Sequence, residues 1–137
     1  SSNSSPISED TGLKEIQKLA ESNNFLIVGT EKKGVVYRKV STLDSYIDHL
    51  MSYITPTSIK PLKLNVNSGN GVAGHVINEL EKRVIHLNIP VTFVKINNIP
   101  DGSFPNGIPN PLLPENRQDT IDAVLKYHAD IGIAFDG

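Results

Sequence analysis

From residue 61 the hydrophobic period changes repeatedly. "LKLNVN" (62–67) reads as a strand, "VAGHVINELEKRVIHL" (72–87) as an amphipathic helix and "VTFVKIN" (91–97) as a second strand. A proline-rich loop, a helical "RQDTIDAVLKYHA" (117–129) and a final apolar "DIGIAFDG" (130–137) complete a β-α-β-α-β order. That alternation predicts a three-layer α/β/α domain. Its sheet is mostly parallel or mixed, its crossovers are right-handed, and its functional loops leave the carboxyl ends of the strands. Those ends are Asn67, about Asn97, and Asp136.

The chain has 137 residues, 38% apolar and 20% charged, enough for one folded domain with a real core. Thirteen basic and 15 acidic residues give a net charge of −2, with no basic cluster to follow a phosphate backbone, so no nucleic-acid partner is expected. The absence of cysteine excludes disulfides and thiolate metal sites. No apolar run of about 18 residues is present, so no membrane association is expected. A cytoplasmic location fits.

Residues 1–10 are small and polar and read as a linker or terminal edge. Asn3-Ser4-Ser5 matches a glycosylation acceptor, a tripeptide common by chance. Residues 11–60 form a helical lead-in with a short strand. Leu13, Ile16, Leu19 and Ala20 mark a helix over 12–22, and "GVVYRKV" marks a strand over 34–40. Leu43, Tyr46, Ile47, Leu50, Met51 and Ile54 mark a second helix. Pro56 and Pro61 close this stretch, and 61–137 is the core of one structural domain overall.

The turn after the first core strand, "NSGNGVAG", contains Gly69-x-Gly71-x-x-Gly74, the spacing of a dinucleotide-binding turn. Such a site needs an acidic residue about 20 positions further on to hold a ribose, and here the second strand ends "KINN". Gly71 and Gly74 are equally explained by a tight turn and close helix-on-strand packing. The amides of Gly69, Asn70 and Gly71 and the following His75 remain a possible anion site at a helix start. His49, His86 and His128 lie apart, without metal-ligand spacing. Arg117 and Asp119 show no role beyond capping and solvation.

The loop "IPDGSFPNGIPNPLLPE" (99–115) carries Pro100, Pro105, Pro109, Pro111 and Pro114. It is stiff and longer than an ordinary crossing, which marks it as a functional candidate. Phe104 and Ile108 are expected to anchor it in the core. Asn106 and Asn110 either present amides to a ligand or brace the turn. Asp136 stands where a parallel sheet exposes its binding edge and is a candidate ligand for a hard cation, though one carboxylate alone is too few.

"KLNVNSGNGVAG", "PDGSFPNGIPNPLLPEN" and "ADIGIAFDG", in that order and spacing, resemble the second domain of the α-D-phosphohexomutase superfamily, on its bacterial phosphomannomutase/phosphoglucomutase side. "PISEDTGLKEIQKLAE" and "YIDHLMSYI" extend the resemblance over nearly the whole chain. It implies one domain of a four-domain enzyme that moves phosphate between O1 and O6 of a hexose, through a phosphoserine and a bisphosphate intermediate. The implied partners are a hexose phosphate, of mannose or glucose, and the other domains of the same polypeptide. The implied cofactor is Mg²⁺, held by an Asp-Gly-Asp-x-Asp-Arg loop of which Asp136 and Gly137 match the first two positions. The family's Ser-His-Asn-Pro phosphoserine loop, its Gly-Glu-x-Ser sugar loop and its terminal phosphate-binding loop have no counterpart in the sequence. The chain alone is therefore expected to be inert, as an excised domain. The alternative is a stand-alone, non-catalytic sugar-phosphate or anion-binding module using the Gly69–Gly74 turn. An ending on a core strand favours excision and predicts self-association through an exposed sheet edge.

Overall fold

The computed structural model describes residues 5–25, 29 and 37–136. Two compact units divide the chain, Ser1–Lys39 and Val40–Gly137. The stretch expected as a single lead-in is shared between them.

In the first unit, α1 (Leu13–Glu21) follows a single 3-10 turn at Glu9–Thr11 whose Ser8 and Thr11 close a capping box. No residue of α1 is buried; Leu13, Ile16 and Leu19 stand about half exposed. Residues 34–36 of the expected strand over 34–40 lie outside the described residues, and 37–40 carry no regular structure.

The second unit opens with α2 (Leu43–Met51), which ends before Ile54. Then come β1 (Leu62–Asn67), α3 (Ala73–His86), β2 (Val91–Ile96), α4 (Gln118–Tyr127) and β3 (Ile131–Ala134). The sheet is parallel throughout, in the order β2-β1-β3. Leu62 to Asn67 face Val91 to Ile96 on one side, and Leu64 to Asn67 face Ile131 to Ala134 on the other.

Side-chain contacts put the two crossover helices on opposite faces. On one, Lys95 reaches across to α3, donating to Asn78 Oδ1 at 2.9 Å and Glu81 Oε2 at 2.5 Å. On the other, Asn67 Nδ2 donates to Thr120 Oγ1 of α4 at 3.1 Å. Outside α3 lies α2, whose Ile47 is 2% exposed and whose Asp48 pairs with Arg83.

Both crossover helices stop by the same device. Asn88 and His128 take left-handed backbone (φ 53° and 51°) and donate to the carbonyls of Ile85 and Leu125. The next residues, Ile89 and Ala129, donate to Val84 and Val124, each at 3.0 Å. This is a Schellman ending, and the apolar contact it favours is supplied after α3 by Ile89 and Val84, both buried. His128 thus serves the fold through its backbone.

The core is small: Val66, Ile77, Val84, Ile89 and Ala123 are buried with Ile47. Its unusual member is Asn65, wholly buried at the centre of β1, with neither amide atom partnered among the described residues.

Candidate functional site

Adjacent strands β1 and β2 send their following helices to opposite faces, so their carboxyl ends open a cleft between the diverging loops. Its walls include Asn67, Asn97, Asn106, Asn110, Glu115 and Asp119. Asparagine recurs because short amides can bond backbone groups in tight turns and tolerate left-handed φ. Asn70 and Asn97 both adopt that conformation, at φ 57° and 48°.

The amides form one directed network. Gly69 N and Asn97 Nδ2 both donate to Asn67 Oδ1, at 3.0 and 3.2 Å. Asn106 Nδ2 donates to Asn97 Oδ1 at 3.0 Å and to Asn70 Oδ1 at 2.9 Å, and Asn70 Nδ2 donates to the Ile99 carbonyl at 2.9 Å. The proline-rich loop is thereby fastened to the glycine turn. Beneath it, Ser68 Oγ donates to Asn98 Oδ1 at 2.9 Å and Asn98 Nδ2 to Asn78 Oδ1 at 3.0 Å, tying the same edge to α3.

The glycine turn is closed from within. Gly69 N is taken by Asn67, Asn70 N donates to the Asn97 carbonyl at 2.7 Å, and Gly71 N donates to the Ser68 carbonyl at 2.8 Å. The donors a bound anion would need at these three positions are committed to the protein. Gly69 sits at φ 56° with Pro109 pressed against it, and Gly74 lies under the Asn98 carbonyl, where a Cβ would overlap the oxygen. Gly69 and Gly74 therefore answer to close packing. His75 is exposed on the first turn of α3 and is not part of the cleft wall.

The loop over 99–115 is fastened largely by polar groups, and of the two apolar anchors expected, Ile108 does not serve as one. Ile108 is 75% exposed, and Phe104 is half-buried at φ 48°. The loop crosses the carboxyl ends of the strands, where Pro109 packs against Gly69. Asn110 Oδ1 accepts from Leu112 N at 3.1 Å, Asn116 Nδ2 donates to the Asn110 carbonyl at 3.2 Å, and Arg117 donates to the carbonyls of Pro111 and Leu112 at 2.7 and 2.8 Å. Asn106 and Asn110 thus brace the chain. At its start, the Ser103 hydroxyl and backbone N–H donate to Asp101 Oδ1 at 2.7 and 2.9 Å and hold that carboxyl below the usual carboxylate range.

Asp136 follows Phe135, whose N–H donates to the Asn67 carbonyl at 2.9 Å, so β1 sets the height at which Asp136 leaves the sheet. Hard cations need several oxygen ligands. Among the described residues no three Asp, Glu, His or Cys side chains gather, so these residues do not by themselves fit a Mg²⁺ ion. Gly137 lies outside the described residues. Asn67 and Asn97, expected only as strand ends, are wall residues, and Arg117, expected only to cap and solvate, holds the loop's carbonyls from outside the wall. The available signal was asparagine at two adjacent strand ends, "LNVN" and "KINN".

Residues 44–137 match the family described as phosphoglucomutase/phosphomannomutase, alpha/beta/alpha domain II. A phosphomannomutase of Vibrio cholerae is 64% identical over 134 residues, which is 98% of the chain and 28% of that protein. One of Escherichia coli is 59% identical over 136 residues, 98% of the chain and 30% of its own length. Among solved structures, a phosphoglucomutase/phosphomannomutase family protein from Burkholderia thailandensis superposes with a TM-score of 0.68 at 31% identity, over 96% of the chain and 26% of that protein. The chain thus spans well under a third of the length of the relatives it matches.

Proposed function

Because the chain belongs to the phosphoglucomutase/phosphomannomutase family as its α/β/α domain II, we propose that it serves as one domain of a cytoplasmic phosphomannomutase-type enzyme. That enzyme interconverts hexose 1-phosphate and hexose 6-phosphate through a phosphoserine and a bisphosphate intermediate. The observation that carries this reading is the family match over 44–137, with identity above one half to proteins named phosphomannomutase.

Within the enzyme, this segment contributes position. Phosphoryl transfer depends on holding the reacting groups in line and on countering developing negative charge. Among the described residues, the cleft wall named above has two carboxylates, Glu115 and Asp119, and contains no Lys, Arg or His. Countercharge for a phosphate must come from other parts of the polypeptide, and the segment alone is inert. We assign Asp136 as one carboxylate of the Mg²⁺ site, where the bound ion would neutralise phosphate charge. Any further ligands would have to come from outside the described residues. Asn67 fixes the strand end that carries Asp136, and Asn106 fixes the loop facing it.

The closed glycine turn disfavours a stand-alone anion-binding module. The test is phosphorus NMR of mannose 1-phosphate and glucose 1-phosphate with the full-length protein and with the 137-residue chain. Full-length protein converts a substrate to the 6-phosphate and the short chain converts neither. Turnover by the short chain, or none by the full-length protein, refutes the reading.

A further inference from the structure

Two Asn-Gly pairs, Asn70-Gly71 and Asn106-Gly107, sit in the same amide network. In such a pair the glycine nitrogen can reach the asparagine Cγ, because glycine has no Cβ to obstruct the approach. A new C–N bond forms, the side-chain nitrogen leaves as ammonia, and a five-membered succinimide results. Water then opens the ring to aspartate or isoaspartate. The net change is the side-chain NH₂ for OH, and no oxidant or cofactor is consumed.

The fold treats the two pairs differently. Asn70 is 9% exposed and held on every polar atom: its N–H by the Asn97 carbonyl, its carbonyl by Asp101 N at 2.8 Å, its side chain by Ile99 and Asn106. Gly71 is buried, and its nitrogen is committed to Ser68. Asn106 and Gly107 are exposed. Gly107 N makes one turn bond, to the Phe104 carbonyl at 2.9 Å, and a Cβ on Gly107 would meet nothing within 4 Å. The attacking nitrogen is freed by opening one surface turn.

We propose that Asn106 is a site of spontaneous deamidation that unfastens the proline-rich loop, and that folding shields Asn70 from the same reaction. A carboxylate at 106 removes the donors to Asn70 Oδ1 and Asn97 Oδ1 and sets a negative charge against two carbonyl oxygens. Rotating the neighbours' amides does not repair the loss. Asn97 would forfeit its bond to Asn67 Oδ1, which Gly69 N holds in that orientation, and Asn70 would forfeit Ile99.

The test is incubation of the chain at mildly alkaline pH, folded and in denaturant, followed by peptide mapping by mass spectrometry. In denaturant both pairs convert at comparable rates, since glycine follows each. In the folded chain Asn106 converts about tenfold or more faster than Asn70, because the buried pair must first open locally. Amide exchange over 99–115 is faster in the converted fraction. Asn106→Gln, whose longer side chain closes a less favourable ring, shows no converted peptide. The proposal is overturned if Asn70 keeps pace with Asn106 in the folded chain, if Asn106 converts only in denaturant, or if converted protein exchanges 99–115 no faster than unconverted.

Discussion

Replacing Gly74 with alanine puts a Cβ where the carbonyl oxygen of Asn98 already sits, 2.9 Å from the carbonyl carbon. The obstacle is backbone, so it cannot be relieved by rotating a side chain. Either α3 lifts from the sheet or Asn98 moves. Forced overpacking of this kind costs about 1–3 kcal/mol. Moving Asn98 also strains its bonds with Ser68 and Asn78, each worth about 0.5–1.5 kcal/mol. Against this, alanine is the better helix former by at most about 1 kcal/mol, and less in a first turn. The net expectation is a loss of about 2–3 kcal/mol, weighing these terms. Urea unfolding followed by far-UV circular dichroism reads it as a lowered midpoint at unchanged slope. A Gly74→Ala protein as stable as the parent would refute the claim that the third glycine of the turn is there for contact between α3 and the end of β2.

Three other expectations follow from named groups. Asn65→Leu keeps size and shape while deleting an amide with no partner among the described residues, so stability rises by about 1–2 kcal/mol, seen as a higher urea midpoint; a lower midpoint counts against an unmet amide. Asp101 titrates below its ordinary value in the folded chain, so its turn is held fully above pH of about 3.9 and released as pH falls through the lowered folded value. The Ser103 amide shift in an NMR pH titration reports this, and a midpoint at or above the ordinary value contradicts it. Among the described residues β3 is a sheet edge, with Ile131 48% and Ile133 37% exposed and Leu125 of α4 69% exposed beside it. Ile133→Lys should therefore reduce self-association in sedimentation velocity, and unchanged association counts against this edge as the contact.

The alternation from 62 to 134 was legible because strand and helix impose different periods, and every core element lies within a few residues of its expected place. The Schellman endings at Asn88 and His128 were not, since the usual glycine signal is missing. At the site, the strand-end positions could be read from the fold class alone. What could not be read was that the asparagines bind one another, because the partners lie up to 36 residues apart in the chain. Ile108 misled for a related reason: an apolar side chain in a loop looks like an anchor until the loop is seen to be held by hydrogen bonds to its own carbonyls.

The fastening between the glycine turn and the proline-rich loop is built wholly from neutral amides and backbone groups. A clasp of ion pairs would slacken as salt rose and let go wherever a partner titrated. Neutral amides neither bind nor release a proton in that range and present no net charge for counterions to screen. The separation of the two loops should accordingly stay constant from dilute buffer to molar salt and from mildly acidic to mildly alkaline pH, so that the rim keeps one shape throughout.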